Sequence, residues 1–196
     1  MKIIGISGSL SKHSKTELTV QKSLDLISEQ DPTIQTELIA LSAYDLVFCD
    51  GRNPDSYEAD TRTVIDKIIA ADALIIGSPI YRGTFSGAFK NLFDLIPNDS
   101  IRGKAVGIIA TGGSDHHFLA IEHQFKPLIG YFNAYSIPGG VYAKNGHFTN
   151  GELTDSNVLQ RLEDLAKETV RLSTLLNNTY KGPAEPDIKR ESLQES

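Results

Sequence analysis

The chain has 196 residues and carries 19 Lys and Arg against 25 Asp and Glu, a net charge of −6. That length suits one domain with its own core, and the acidic balance excludes a bulk electrostatic nucleic-acid binder, which needs a basic face. A single cysteine, Cys49, excludes an intrachain disulfide framework and a cysteine zinc site. No apolar run nears the roughly 20 residues that span a bilayer, and the opening MKIIGISGS lacks the pattern of a signal peptide. The expectation is a cytoplasmic protein with no membrane or nucleic-acid partner.

The first apolar run, Lys2–Ser7, reads as a buried strand. A hydroxyl-rich loop follows, and then a helix over Thr16–Glu29 with Leu18, Val20, Leu24 and Ile27 on one face. A second strand is expected over Ile34–Leu41. The next helix is Ala59–Ala71, with Val64, Ile65, Ile68 and Ile69 at helical spacing. A third strand, Ala73–Gly77, leads through a Gly- and Ser-rich loop into a helix over Phe85–Ile96. The stripe Phe85, Phe89, Phe93 in that helix reads as core. The fourth strand is Ala105–Ala110, followed by a glycine pair and a nearly all-apolar helix over Phe118–Phe132. The fifth strand is Ala134–Pro138, and the last helix Asp155–Asn177. From Lys181 to Ser196 the composition is charged with two prolines, so residues 1–180 form the expected domain and 181–196 a mobile tail.

Strand–helix alternation at about 30 residues per unit implies a parallel sheet with helices on both faces. Five strands fit a flavodoxin-like three-layer α/β sandwich in the order 2-1-3-4-5. In such sheets ligands bind beyond the carboxyl ends of the strands at the switch point, here the loops after strands one, three and four.

The first of these, Ser7–Thr16, carries five hydroxyls and two lysines ahead of a helix. It lacks the second glycine followed by Lys-Ser/Thr that a Walker loop needs, and it lacks the glycine spacing of a dinucleotide fingerprint. Ser9, Ser11, Ser14, Lys15 and Thr16 suit a terminal monophosphate at a helix N-terminus; an ordinary N-cap with polar neighbours is the alternative. The second loop offers Pro79, Ile80, Tyr81, Arg82 and Gly83, with Pro79 fixing the backbone and Tyr81 supplying an aromatic face. In the third, Thr111, Gly112, Gly113 and Ser114 would bring backbone N–H groups close to a flat ligand. His116, His117 and His123 lack the spacing of a metal site, so no metal is expected.

These residues resemble a known family. Ser7-Gly8-Ser9 with Ser14 and Thr16, the run Gly77-Ser78-Pro79-Ile80-Tyr81-Arg82-Gly83 continuing to Ser86-Gly87, Lys90-Asn91 and Asp94, and Thr111-Gly112-Gly113-Ser114 are similar to the NADPH-dependent FMN reductases. His117, Ala120-Ile121-Glu122-His123, Lys126-Pro127-Leu128 and Gly140-Val141-Tyr142 most resemble the reductases of two-component alkanesulfonate monooxygenase systems. The resemblance covers roughly residues 3–143. It implies that residues 9–16 hold the FMN phosphate, that 79–83 wrap the isoalloxazine ring, and that 111–114 line its other edge with His117 nearby.

It also implies NADPH, or NADH, stacking on the open flavin face, with Arg82 a candidate contact for an NADPH phosphate. Hydride would pass directly between the two cofactors with no obligatory side-chain acid or base. The resemblance further implies a homodimer or homotetramer and a flavin-dependent monooxygenase as recipient of reduced FMN. Some sulfonate-linked relatives carry an inserted Tyr at a π-bulge in the fourth helix, where this chain has His123. The rival readings are an FMN-containing quinone or azo-dye reductase on the same scaffold, and a flavodoxin-type electron carrier. The absence of an aromatic clamp in the third loop and the modest net charge disfavour the carrier.

Overall fold

The computed structural model describes residues 1–176. The expected domain end at 180 and the segment 181–196 lie outside the described residues. One sheet contains β1 (Lys2–Ser7), β2 (Gln35–Ala40), β3 (Ala73–Tyr81), β4 (Thr84–Phe85), β5 (Ala105–Gly112), β6 (Tyr135–Ser136) and β7 (Val141–Lys144). Around it lie α1 (Lys15–Gln30), α2 (Ala59–Ala70), α3 (Gly87–Leu95), α4 (Lys126–Tyr131) and α5 (Ser156–Leu176). A separate hairpin, β8 (Phe148–Thr149) with β9 (Glu152–Leu153), precedes α5.

The strands run in the order β2-β1-β3-β5, with β6 and β7 both paired parallel to β5. β6 pairs with Ala105 and Val106, and β7 with Ile109–Gly112. These two pieces together occupy the fifth position of the expected 2-1-3-4-5 order. The strand expected at Ala134–Pro138 is therefore only the first piece, and the chain returns to the sheet at Val141. Between them Gly139 takes φ +76°. Gly140 lies so close to β5 and the fourth helical segment that an added Cβ would sit 3.0 Å from the Ile108 carbonyl oxygen and 2.9 Å from Ile121 Cγ2.

Strand alternation sorts the core into two layers. Ile3, Ile75 and Ile109 pack with Val20, Leu24 and Ile27 of α1 and Val158, Leu162 and Leu165 of α5. Ile4, Leu74, Ile76 and Ile108 point the other way, onto Val64 and Ile68 of α2, Phe89 and Phe93 of α3, and Ile129 of α4. Burial on both faces explains why β1, β3 and β5 lack polar alternation. Phe89 and Phe93 are core, as the stripe predicts, while Phe85 is half-buried; neighbouring rings of the stripe lie 5.4 and 4.8 Å apart between centroids.

The single helix expected over Phe118–Phe132 is two pieces, preceded by a short turn. A 3₁₀ turn covers Asp115–His117, a π turn covers Ile121–Phe125, and α4 follows. The Lys126 N–H donates to the Ile121 carbonyl, five residues back, which is the π register. Pro127 has no N–H to continue the α ladder. His123 sits at the centre of this π turn, which therefore forms with histidine at that position.

Candidate functional site

The carboxyl ends of β1, β3 and β5 are adjacent in the sheet, so their three loops meet at one edge. They enclose an open cavity of about 260 Å³. Ser9, Ser11, His13, Ser14, Lys15 and Thr16 line one side of it. Pro79, Ile80 and Tyr81 come from β3, Thr111, Gly112 and Gly113 from β5, and Asn145 from the turn after β7.

The loops are tied together below the cavity. The Gly8 N–H donates to the Gly77 carbonyl at 2.8 Å. Ser86 Oγ donates to the Gly8 carbonyl at 2.5 Å and accepts from the Phe89 N–H at 3.1 Å, so one hydroxyl caps α3 and anchors the first loop. Thr16 and Thr111 share a buried hydroxyl–hydroxyl bond of 2.6 Å that joins the first loop to the third. Gly8 rests on α3, where an added Cβ would lie 2.7 Å from Phe89 Cβ.

Two serines on the first side are half-committed. Ser14 Oγ caps α1 by accepting from the Glu17 N–H at 3.0 Å, and Ser9 Oγ accepts from the Ser11 N–H at 3.2 Å. Each hydroxyl therefore keeps its hydrogen for a ligand oxygen. The lining contains one lysine and neither aspartate nor glutamate. On a chain of net charge −6 this lining is locally free of negative side chains. The residues fit the terminal phosphate of a flavin mononucleotide at that end. The Pro79–Tyr81 strand end and the Gly112–Gly113 backbone fit a flat ring at the other.

Four expected site residues stand outside the cavity lining: Arg82, Gly83, Ser114 and His117. Arg82 and Gly83 form the tip of the β3–β4 hairpin, in which Tyr81 faces Thr84. Both have positive φ, +54° and +92°, as a two-residue type I′ turn requires. An added Cβ at Gly83 would meet nothing within 4 Å, so this glycine answers to backbone conformation and not to crowding. Ser114 lies at the rim. Its carbonyl accepts from Tyr142 Oη at 2.6 Å, and its Oγ shares a 2.8 Å bond with His116 Nδ1. His117 closes the 3₁₀ turn beyond it, half-buried.

Tyr142 also explains Gly112. An added Cβ there would sit 2.0 Å from Tyr142 Oη, so the ring crosses directly over the glycine. Burial pushes the Tyr142 phenol up, with the Asp115 charge adding to the effect. The phenol thus stays protonated and able to donate to Ser114. Asp115 is held below the usual carboxylate range by the Lys144 ammonium at 2.5 Å. Among the described residues no group of three or more His, Cys, Asp or Glu is placed to hold a metal ion, and no helix is long and apolar enough to cross a membrane.

His13 and Asn145 line the cavity and were not among the expected residues. Asn145 had a readable signal: Val141-Tyr142-Ala143 is an apolar β-forming run, which places Asn145 at a strand exit beside the other loops.

A family model of NADPH-dependent FMN reductases matches residues 1–148. An NAD(P)H-dependent FAD/FMN reductase of Geobacillus thermodenitrificans is 42% identical over 88% of this chain and 93% of its own length. The NADH-dependent FMN reductase SfnF of Pseudomonas putida is 32% identical over 83% of this chain and 88% of its own. Among solved structures, an NADH:FMN oxidoreductase (EMOB) superposes with a TM-score of 0.75 at 24% identity, covering 86% of this chain and 87% of that one. That last likeness concerns the fold.

Proposed function

The chain belongs to the NADPH-dependent FMN reductase family, and on that premise we propose that the cavity at the sheet edge binds FMN for reduction by NADPH or NADH. The observation that carries this reading is the polarity of the cavity. One end holds hydroxyls and a lysine with no carboxylate, and the other holds a strand end and a glycine pair open to a flat ring. Bound FMN supplies the hydride acceptor and reduced nicotinamide the donor; the protein supplies position and electrostatics.

Ser9, Ser11, Ser14, Lys15 and Thr16 bind the phosphate in this reading. Pro79, Ile80 and Tyr81 flank one side of the ring, and Thr111, Gly112, Gly113 and Ser114 its other edge, with His117 nearby. Backbone N–H groups at 112–114 offset negative charge that develops on the ring. Arg82, at the tip of an exposed hairpin, contacts an NADPH phosphate. The Phe118 and Leu119 side chains, both exposed and apolar, support a homodimer or homotetramer. The reading is completed by a cytoplasmic setting and a flavin-dependent monooxygenase that takes the reduced FMN.

Steady-state NADPH and NADH oxidation with free FMN, free FAD, a quinone and an azo dye tests the reaction. Turnover with free FMN is the expected result. Turnover with the quinone or dye alone transfers the activity to a reductase that retains its FMN, and no consumption with any acceptor refutes the reading. Replacing Ser9 and Ser14 by alanine tests the site, since FMN should weaken much more than riboflavin, which lacks the phosphate.

A further inference from the structure

We propose that Asn145 and Phe148 aim the Lys15 ammonium at the flavin phosphate while leaving its charge unneutralised, so that this pair sets the preference for FMN over riboflavin and FAD. The inference rests on the phosphate end assigned above and concerns two residues outside the first loop. Lys15 Nζ donates to Asn145 Oδ1 at 2.8 Å and lies 5.2 Å from the centroid of the Phe148 ring. Both partners come from far along the chain. Asn145 opens the 3₁₀ turn after β7, where the Lys144 N–H donates to His147 Nδ1 at 3.2 Å, and Phe148 begins the β8–β9 hairpin.

The chemistry of the partners is the telling point. Lys2, Lys67, Lys90, Lys126, Lys144 and Lys167 each pair with a carboxylate. Lys15 is held instead by an amide oxygen and an aromatic face, both neutral. An ammonium has three donors. The amide takes one and orients the group, and the ring stabilises the cation without cancelling it. The full positive charge therefore remains at the edge of a cavity with no carboxylate in its lining. A phosphomonoester carries about two negative charges above pH ~6, a phosphate within a diphosphate diester about one, and riboflavin none. Asn145 and Phe148 are thus positioning residues for a charge that ranks flavins by their terminal group.

Fluorescence titration of FMN, FAD and riboflavin distinguishes this from a merely structural strap, using wild type, Asn145→Ala, Asn145→Asp, Ser14→Ala and Lys15→Met. Asn145→Asp keeps an acceptor for Lys15 but neutralises it. It should lower the FMN-to-riboflavin affinity ratio by about tenfold or more, and Asn145→Ala by a few-fold, on the scale of hydrogen bonds to charged groups. If Asn145→Asp leaves the ratio intact, or if Asn145→Ala weakens both flavins equally, Asn145 is a strap and the inference is overturned. Asn145→Ala carries the test should the aspartate variant fail to fold. Loss of the ratio in Ser14→Ala and Lys15→Met, with Asn145→Asp unaffected, leaves the phosphate site standing and removes only this inference. An unchanged ratio in Ser14→Ala and Lys15→Met removes the phosphate site itself.

Discussion

At the scale of single residues, the two glycines of the third loop have different physical duties. Gly112 lies under the Tyr142 ring, 2.0 Å from Oη and 2.9 Å from Cζ by its added Cβ, whereas the added Cβ of Gly113 comes no nearer than 3.8 Å to Asn145 Nδ2. Gly112→Ala should therefore displace Tyr142, break its bond to the Ser114 carbonyl, and cost about 1–3 kcal/mol by overpacking. Gly113→Ala should be close to neutral for stability. Adding Tyr142→Phe to Gly112→Ala removes the worst contact but not the Cζ one, so it should recover part of the loss. Urea denaturation of the four proteins checks this, and equal destabilisation by the two alanine substitutions would contradict it. The Thr16–Thr111 hydroxyl pair is a second such case. Thr111→Val leaves the buried Thr16 hydroxyl without its partner and should cost about 1–3 kcal/mol.

At the scale of elements, the β3–β4 hairpin sets stability against function. Its tip asks both residues for positive φ, which glycine adopts freely and arginine does not. Arg82→Asn should stabilise the fold by about 0.5–1 kcal/mol, since asparagine tolerates that conformation and Asn-Gly suits this turn. If Arg82 reaches an NADPH phosphate, the same change should raise the KM for NADPH more than that for NADH. A higher melting temperature with no shift in that ratio would leave Arg82 with a turn to close and no ligand to hold.

This hairpin also shows how far element-level reading reaches. The strands β1, β3 and β5 were legible because burial on both faces leaves unbroken apolar runs. Ser7–Thr16 and Thr111–Ser114 were legible as strand exits. The turn at residues 82–83 is harder to read, because Arg-Gly is a weaker hairpin signal than Asn-Gly. Asn150-Gly151 between β8 and β9 does carry the strong signal, and both residues have positive φ there. The division of the fifth strand and the register shift at Ile121–Phe125 depend on how β5 and its neighbours pack, as Gly140 against Ile108 and Ile121 shows. The Lys15–Asn145 bond joins residues 130 apart, and no local pattern announces it.

At the scale of the whole molecule, charged groups at the sheet's edges give stability a pH profile. Lys104 donates to the Ile68 and Ile69 carbonyls at the end of α2, at 3.1 and 2.7 Å. Burial pushes its pKa from 10.5 down to about 8. Between those values the unfolded chain holds more protons than the folded one, so this group makes stability rise with pH. Glu37 acts at the acid end. The Lys2 and Lys67 ammoniums hold its carboxyl below 4.5, so its contribution is present above that value and lost as pH falls through the folded pKa. Tyr57 and Tyr142, both raised above 10.0 chiefly by burial, reverse the trend at higher pH, because the folded state then keeps its protons longer. The gain from Lys104 is therefore read between about pH 8 and 10. Urea unfolding across pH 3–10 should show a fall in the acid range that Glu37→Gln blunts, and an alkaline rise that Lys104→Met abolishes. A wild-type profile that is flat or falling from pH 8 to 10 would mean that the two α2 carbonyls hold Lys104 charged in the fold, against the effect of its burial.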